Sequence, residues 1–204
     1  LIEQTARLLI EAKAPMLCAG AEVTRADAGD ELVSLAEMVG AQVAQGYSVY
    51  NDFPFRHPLF AGFYGLGIPR DLAKTDVFVN LGGPMLDPTV FAPPPPRAAK
   101  LVHARIEFGE IGNTWPTDVA IAAGMKETLV ALNDAVRGMA TADRLQQLAA
   151  GRLAAAREAQ AAADARRKAD AQEYWNASPM SWPRVAAELD LQLEALGRGR
   201  AASQ

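Results

Sequence analysis

The sequence predicts an α/β chain: a three-layer, doubly wound parallel sheet of about six strands, followed by a C-terminal helical linker. Three observations carry this. Asp76 to Leu81 is a short run dominated by β-branched and aromatic residues and stopped by Gly82-Gly83-Pro84, which marks a strand buried on both faces and therefore covered on both sides. Similar runs alternate with stretches whose apolar residues recur every three or four positions, the pattern of βαβ units. Half of the 204 residues are hydrophobic, enough for one sizeable core and an appendage.

Leu1 to Ala14 reads as a helix, with Leu1, Thr5, Leu8, Leu9 and Ala12 on one stripe, ended by Pro15. Pro15 to Gly20 is a buried strand and Ala21 to Thr24 a turn. A helix then runs to about Val39 on Leu32, Leu35, Ala36 and Val39, with Gly40 as its stop. Gln42 to Gln45 is a short strand, so the crossover between the two strands should be right-handed. Tyr47 to Gly67 is long, aromatic and glycine-rich, and a connection of that length usually has a function or lies at an interface. Within it, Leu59 to Ala61 reads as a short edge strand. Ile68 to Lys74 reads as a brief helix leading into the strand at Asp76.

Four consecutive prolines, Pro93 to Pro96, exclude both helix and central strand and give a stiff extended segment. Lys100 to Phe108 is the next strand, Gly109 to Thr117 a loop, Asp118 to Ala122 the last strand, and Lys126 to Val136 the closing helix. Beyond Gly138 the composition turns to Ala, Arg, Gln and Asp, so Ala140 to Trp175 should be helical on propensity alone, with a thin stripe of Leu145, Leu148 and Leu153. Asn176 to Pro183 breaks it. Val185 to Leu196 is amphipathic, and Gly197 to Gln204 is expected to be disordered. The expected division is 1–138 for a Rossmann-like domain and 139–204 for the linker and the start of a further domain.

A net charge of −4 gives no support for nucleic-acid binding. One cysteine, Cys18, excludes an intrachain disulfide and points to a reducing, cytoplasmic setting. No apolar run reaches the length of a membrane span. The abrupt start at Leu1 suggests an excised piece of a longer chain.

In a sheet of this kind ligands sit beyond the carboxyl ends of the strands where the strand order reverses, and glycines there let backbone amides approach a phosphate or another backbone. The first strand ends in a single glycine, Gly20, without a G-x-G-x-x-G fingerprint, so an ordinary nicotinamide dinucleotide site is not expected. His57 and His103 have no Cys or carboxylate at ligand spacing. Cys18 lies inside a core strand, where a thiol is inert. No catalytic residues and no metal ligands are expected in this chain.

The order of segments resembles the central domain of thiamine-diphosphate-dependent enzymes of the acetolactate synthase and benzoylformate decarboxylase group. Residues 14–23, APMLCAGAEV, resemble that family's first strand and turn, and residues 31–37, ELVSLAE, its next helix. Residues 57–65, HPLFAGFYG, resemble its His-Pro-x-x-x-Gly-x-x-Gly loop. Residues 106–113, IEFGEIGN, resemble its I-D-x-x-x-I-G turn, and Ser181-Trp182-Pro183-Arg184-Val185 resembles the start of the following domain. The resemblance covers about residues 1–138. It implies a parent enzyme, a lyase or transferase that makes or breaks C–C bonds of 2-oxo acids. Thiamine diphosphate and Mg2+ would be held by flanking pyrimidine- and diphosphate-binding domains, in a homodimer or homotetramer. This piece alone would be structural, because it has no Gly-Asp-Gly motif.

Some members bind FAD or ADP in this domain. The resemblance would place such a ligand against Gly20 and Ala21, Gly62, Phe63, Tyr64 and Gly65, Gly82, Gly83 and Pro84 on to Leu86, and Arg105 with Ile106. Two departures weigh against it. Pro84-Met85-Leu86 replaces an Arg-Phe-Asp type segment, and Arg105 stands where an acid would accept ribose hydroxyls. Arg105 is then expected to meet a phosphate or to face solvent. The competing readings are a stand-alone nucleotide-binding module in the same crevice, and a small enzyme using His57 as a base.

Overall fold

The computed structural model describes residues 1–65, 67–85, 94–173 and 175–196. The expectations for Leu86, Pro93 and the tail from Gly197 lie outside them. Six strands form one all-parallel sheet in the order β3-β2-β1-β4-β5-β6. They are β1 Pro15–Ala19, β2 Gln42–Gln45, β3 Phe60–Phe63, β4 Val77–Leu81, β5 Lys100–Ala104 and β6 Val119–Ile121. The chain winds outward from β1 to β3, returns to the middle at β4, and winds outward again. The strand order therefore reverses between β1 and β4, which are buried along their whole length.

Strand alternation gives the sheet two different faces. Leu17 pairs with Val43 and Val79, Val79 with Val102, and Val102 with Val119. Helices α1 Ile2–Glu11, α3 Gly29–Val39 and α4 Met125–Met139 belong to this domain, and α4 packs against both α1 and α3. Lys126 Nζ on α4 donates to the Glu31 carboxylate at 2.7 Å and to the Asp27 carbonyl at 2.6 Å, while Asn133 Nδ2 donates to the Glu31 carbonyl. The other face presents Met16, Cys18, Ala44, Phe78 and Leu101. It is covered by Tyr64, Leu72, Met85 and Trp115, which come from connections rather than from long helices.

Several element boundaries differ from the sequence expectation. The turn expected at Ala21–Thr24 is a short helix, α2 Ala21–Arg25, which buries Val23 and stops before Asp27, a residue with φ +50°. The helix expected over Ile68–Lys74 contracts to a 3-10 turn at Leu72–Lys74. Asp71 takes φ +60°, and the left-handed residue breaks any longer helix. The strand expected to reach Phe108 stops at Ala104, because the Ile106 amide turns away to a side chain and Phe108 is exposed. The closing helix runs on to Met139. Gly40 ends α3 in the left-handed conformation, φ +60°.

The chain divides into two compact units, Leu1–Leu153 and Ala154–Gln204. The first reaches past the change of composition at Gly138, because the beginning of α5 Ala142–Glu173 packs back on the domain. Leu145 and Ala149 are buried. The Arg152 guanidinium donates to the carbonyls of Val39 and Ala12, each at 2.5 Å. In the second unit Arg184 stacks on the Trp175 ring at 5.1 Å and donates to its carbonyl. There α6 Trp182–Ala195 leaves Trp182, Leu189, Leu191 and Leu193 exposed.

Candidate functional site

At the carboxyl ends of β1 and β4 the two turns touch through their backbones. The Gly20 amide donates to the Leu81 carbonyl at 2.8 Å, the Glu22 amide to the Gly82 carbonyl at 3.0 Å, and the Gly82 amide to the Ala104 carbonyl at 2.8 Å. A Cβ on Gly20 would lie 2.4 Å from the Gly83 Cα. Gly82 has φ +71°, and a Cβ there would lie 2.6 Å from that of Glu22. The glycines thus permit the approach of one backbone to another, which was one of the two roles their position allowed.

Beside this contact, β5 ends in Arg105 and Ile106. The Ile106 amide donates to Glu22 Oε2 at 2.9 Å, and Arg105 Nε lies 3.4 Å from Glu22 Oε1. A second nitrogen of Arg105, Nη1, is ion-paired with Glu110. The Arg105 and Glu22 side chains are each 12% exposed, so the pair sits inside the protein. Arg105 therefore faces carboxylates, with little of its side chain left to solvent. It meets a carboxylate of its own chain.

His103 precedes this group on β5 and is fully buried. Its Nε2 lies 3.1 Å from the Gly83 carbonyl, which also accepts a hydrogen bond from Asn80 Nδ2 at 2.6 Å. A carbonyl has no proton to give, so Nε2 carries the hydrogen and Nδ1 the lone pair. Nδ1 has no partner among the described residues. Burial holds the imidazole pKa below its ordinary value, with the hydrogen bond to Gly83 opposing the shift. Cys18, on the same face of β1, is pushed up to about 12 by burial, with Asp52 adding to the shift. This thiol stays protonated and inert.

The structure brings together Gly20, Ala21, Gly82, Gly83, Pro84, Arg105 and Ile106 at the reversal of strand order. Gly62, Phe63, Tyr64 and Gly65 lie on or just after β3, the edge strand, two strand spacings from β1 and four from β5, or about 10 and 19 Å. Gly62 and Gly65 both take φ +108°. Tyr64 turns inward and packs on Phe78 at 5.3 Å, and burial raises its hydroxyl beyond its ordinary range. Phe63 stays outside, in a cluster of three rings with Phe55 and Phe60.

Asp52, which the sequence did not single out, anchors the aromatic loop. It accepts from the Thr24 hydroxyl at 2.5 Å and from Gln45 Nε2 at 2.7 Å. Both nitrogens of His57 are engaged: Nδ1 accepts from the Leu59 amide at 3.2 Å and Nε2 faces Glu37 at 3.2 Å. This ring holds its loop. Among the described residues no three His, Cys, Asp or Glu side chains are placed to hold a metal. The crevice amides of Gly20, Glu22, Gly82 and Ile106 are all engaged within the chain.

The fold and site define an all-parallel α/β domain whose two glycine-bearing connections touch where the strand order reverses. A family model described as "Thiamine pyrophosphate enzyme, central domain" matches residues 2–132, and the chain belongs to that family. It is 33% identical over 140 residues to the acetolactate synthase large subunit of Corynebacterium glutamicum, covering 64% of this chain and 22% of that protein. It is 34% identical over 131 residues to a sulfoacetaldehyde acetyltransferase of Rhodobacter capsulatus, covering 60% of this chain and 22% of that one. Among solved structures, it is similar to a thiamine diphosphate-dependent 4-hydroxybenzoylformate decarboxylase of Rhodococcus jostii, with TM-score 0.55 and 30% identity over 66% of this chain and 27% of that one. The chain thus spans about a fifth of the length of the curated relatives it matches.

Proposed function

We propose that this chain is the scaffold domain of a longer thiamine-diphosphate-dependent enzyme, a lyase or transferase that makes or breaks the C–C bond of a 2-oxo acid. Its work is to orient the neighbouring domains and cover the entrance to the active site. The cofactor and its Mg2+ would be held by the flanking pyrimidine- and diphosphate-binding domains, in a cytoplasmic homodimer or homotetramer. The observation that carries this reading is the crevice itself. In a domain of this family, four backbone amides of the crevice are hydrogen-bonded to Leu81, Gly82, Ala104 and Glu22. The family's central domain is named for an enzyme whose relatives are several times longer. Among the described residues no helix is long and apolar enough to cross a membrane.

The test compares the 204-residue chain with the full polypeptide encoded by its reading frame. The longer protein is expected to contain a Gly-Asp-Gly motif after residue 204. It should also release CO2 from pyruvate or benzoylformate when supplied with thiamine diphosphate and Mg2+. The short chain is expected to bind no thiamine diphosphate in calorimetry and to turn over neither acid. Turnover by the purified short chain would end this reading.

A further inference from the structure

Just after β5, two donors have no backbone partner among the described residues: the Ile106 amide and the Arg105 guanidinium. One side chain, Glu22 on α2, faces both: it accepts a hydrogen bond from the Ile106 amide and is ion-paired with Arg105, whose Nε has no hydrogen bond among the described residues. Its two oxygens divide the work, Oε2 on the amide at 2.9 Å and Oε1 beside Arg105 Nε at 3.4 Å. An amide and a guanidinium converging on two oxygens of one anion is how proteins hold free oxyanions. The site is also a built one, since the Glu22 and Arg105 side chains are each 12% exposed and Arg105 is fixed on its far side by Glu110. The charged and titratable groups around it are Glu22, Arg105, Glu110 and the buried His103.

We propose that Glu22 is a tethered anion: it occupies an oxyanion subsite formed by Arg105 and the Ile106 amide, and it excludes small phosphate-like anions from solution. A free anion must compete with a carboxylate on the same chain, whose effective concentration for a short tether is in the mM range. Removing the carboxylate leaves a cation and an amide donor facing the gap. Glu110 remains to steady Arg105. This inference concerns the crevice alone and does not depend on which reaction a longer polypeptide performs.

The 204-residue chain carries its own test, with inorganic pyrophosphate as probe in titration calorimetry at low ionic strength. The wild type should show no saturable binding into the mM range. Glu22→Ala should bind with at least tenfold higher affinity, and Glu22→Ala/Arg105→Ala should lose that binding. Equal binding by wild type and Glu22→Ala overturns the proposal. So does a folded Glu22→Ala that binds nothing, or binding that persists in the double variant. Should Glu22→Ala fail to fold, Glu22→Gln keeps an acceptor for the Ile106 amide while removing the charge. It should still bind pyrophosphate more tightly than wild type, and no gain in that variant overturns the proposal equally.

Discussion

His103 shows how one buried side chain can set a pH dependence. It is fully buried on β5, donates from Nε2 to the Gly83 carbonyl, and has no partner for Nδ1 among the described residues. Burial lowers its pKa from the ordinary 6.5. Below pH 6.5 the unfolded chain takes up a proton that the folded chain refuses, so stability rises with pH through this window. The stability linked to His103 is therefore complete above pH 6.5 and is lost as pH falls from 6.5 toward the lower folded value. Urea melts of the wild type should show this slope between pH 6.5 and about 5, before the carboxylates titrate. In His103→Gln the slope should vanish. In His57→Gln, which alters the only other histidine, it should persist. A slope that survives in His103→Gln would place the titrating group elsewhere. The depressed carboxylates act at lower pH. Asp118 is held down by Lys100 and the Leu101 amide, Asp71 by Lys74 and Gln42, and Glu31 chiefly by Lys126. Their contribution is present above the ordinary values of 3.8 and 4.5 and is lost below them.

At the scale of elements, the ends of helices and strands are tied by side chains from far along the sequence. The Asp76 carboxylate at the start of β4 accepts from the amides of Lys13 and Ala14 just before β1, at 2.7 and 2.9 Å. Asp118 does the same for β5 through the Leu101 amide at 2.9 Å. Arg152 is the strongest case. One guanidinium donates to the last carbonyls of α1 and α3, at Ala12 and Val39, where helix ends leave acceptors unpaired. Charge-assisted bonds of this kind contribute about 1.5–3 kcal/mol each when their loss leaves an acceptor bare. Because the guanidinium is only partly buried and water weakens both bonds, Arg152→Ala should lower the unfolding free energy by about 2–4 kcal/mol in all. Arg157→Ala, on the exposed surface of the same helix, should change it by less than about 0.5 kcal/mol. Chemical denaturation of both variants decides this, and equal midpoints would show the two caps to be dispensable. This cap was invisible in the sequence, since nothing local in an Ala- and Arg-rich stretch distinguishes Arg152 from its neighbours. The strands were legible because a parallel strand buried on both faces must be an unbroken apolar run. Gly40 was legible as a helix stop because only a left-handed residue closes the helix there. The site was half legible. The glycines marked the turns that meet, but Glu22 read only as one residue of the turn expected at Ala21–Thr24. Its role depends on Ile106, 84 positions away, a separation that no window of sequence spans.

At the scale of the whole molecule the sheet is asymmetric. One face carries a row of aliphatic residues, and α1, α3 and α4 pack as a continuous series through α4. The other face is roofed by single side chains from connections, Tyr64, Leu72, Met85 and Trp115. Helix packing therefore holds α1 to α4 and α4 to α3, and the start of α5 reaches the outer ends of α1 and α3 through Arg152. Leu145 and Ala149 are buried in the same unit, and Gly40 leaves room for this approach: a Cβ there would lie 3.0 Å from the Ala149 Cα. Residues 139–153 are then part of the folded domain, although their composition is that of a linker. A chain ending at residue 153 should melt within a few degrees of the full 204 residues, because the second unit begins at Ala154. A chain ending at 138 loses the Arg152 cap together with the burial of Leu145 and Ala149. It should be less stable than Arg152→Ala itself, since removing buried apolar area adds to the lost hydrogen bonds. Calorimetric melts of the three lengths beside Arg152→Ala give the order directly. If the 138-residue chain matched the 153-residue one, the helix start would be a passenger and the domain would end where the composition changes.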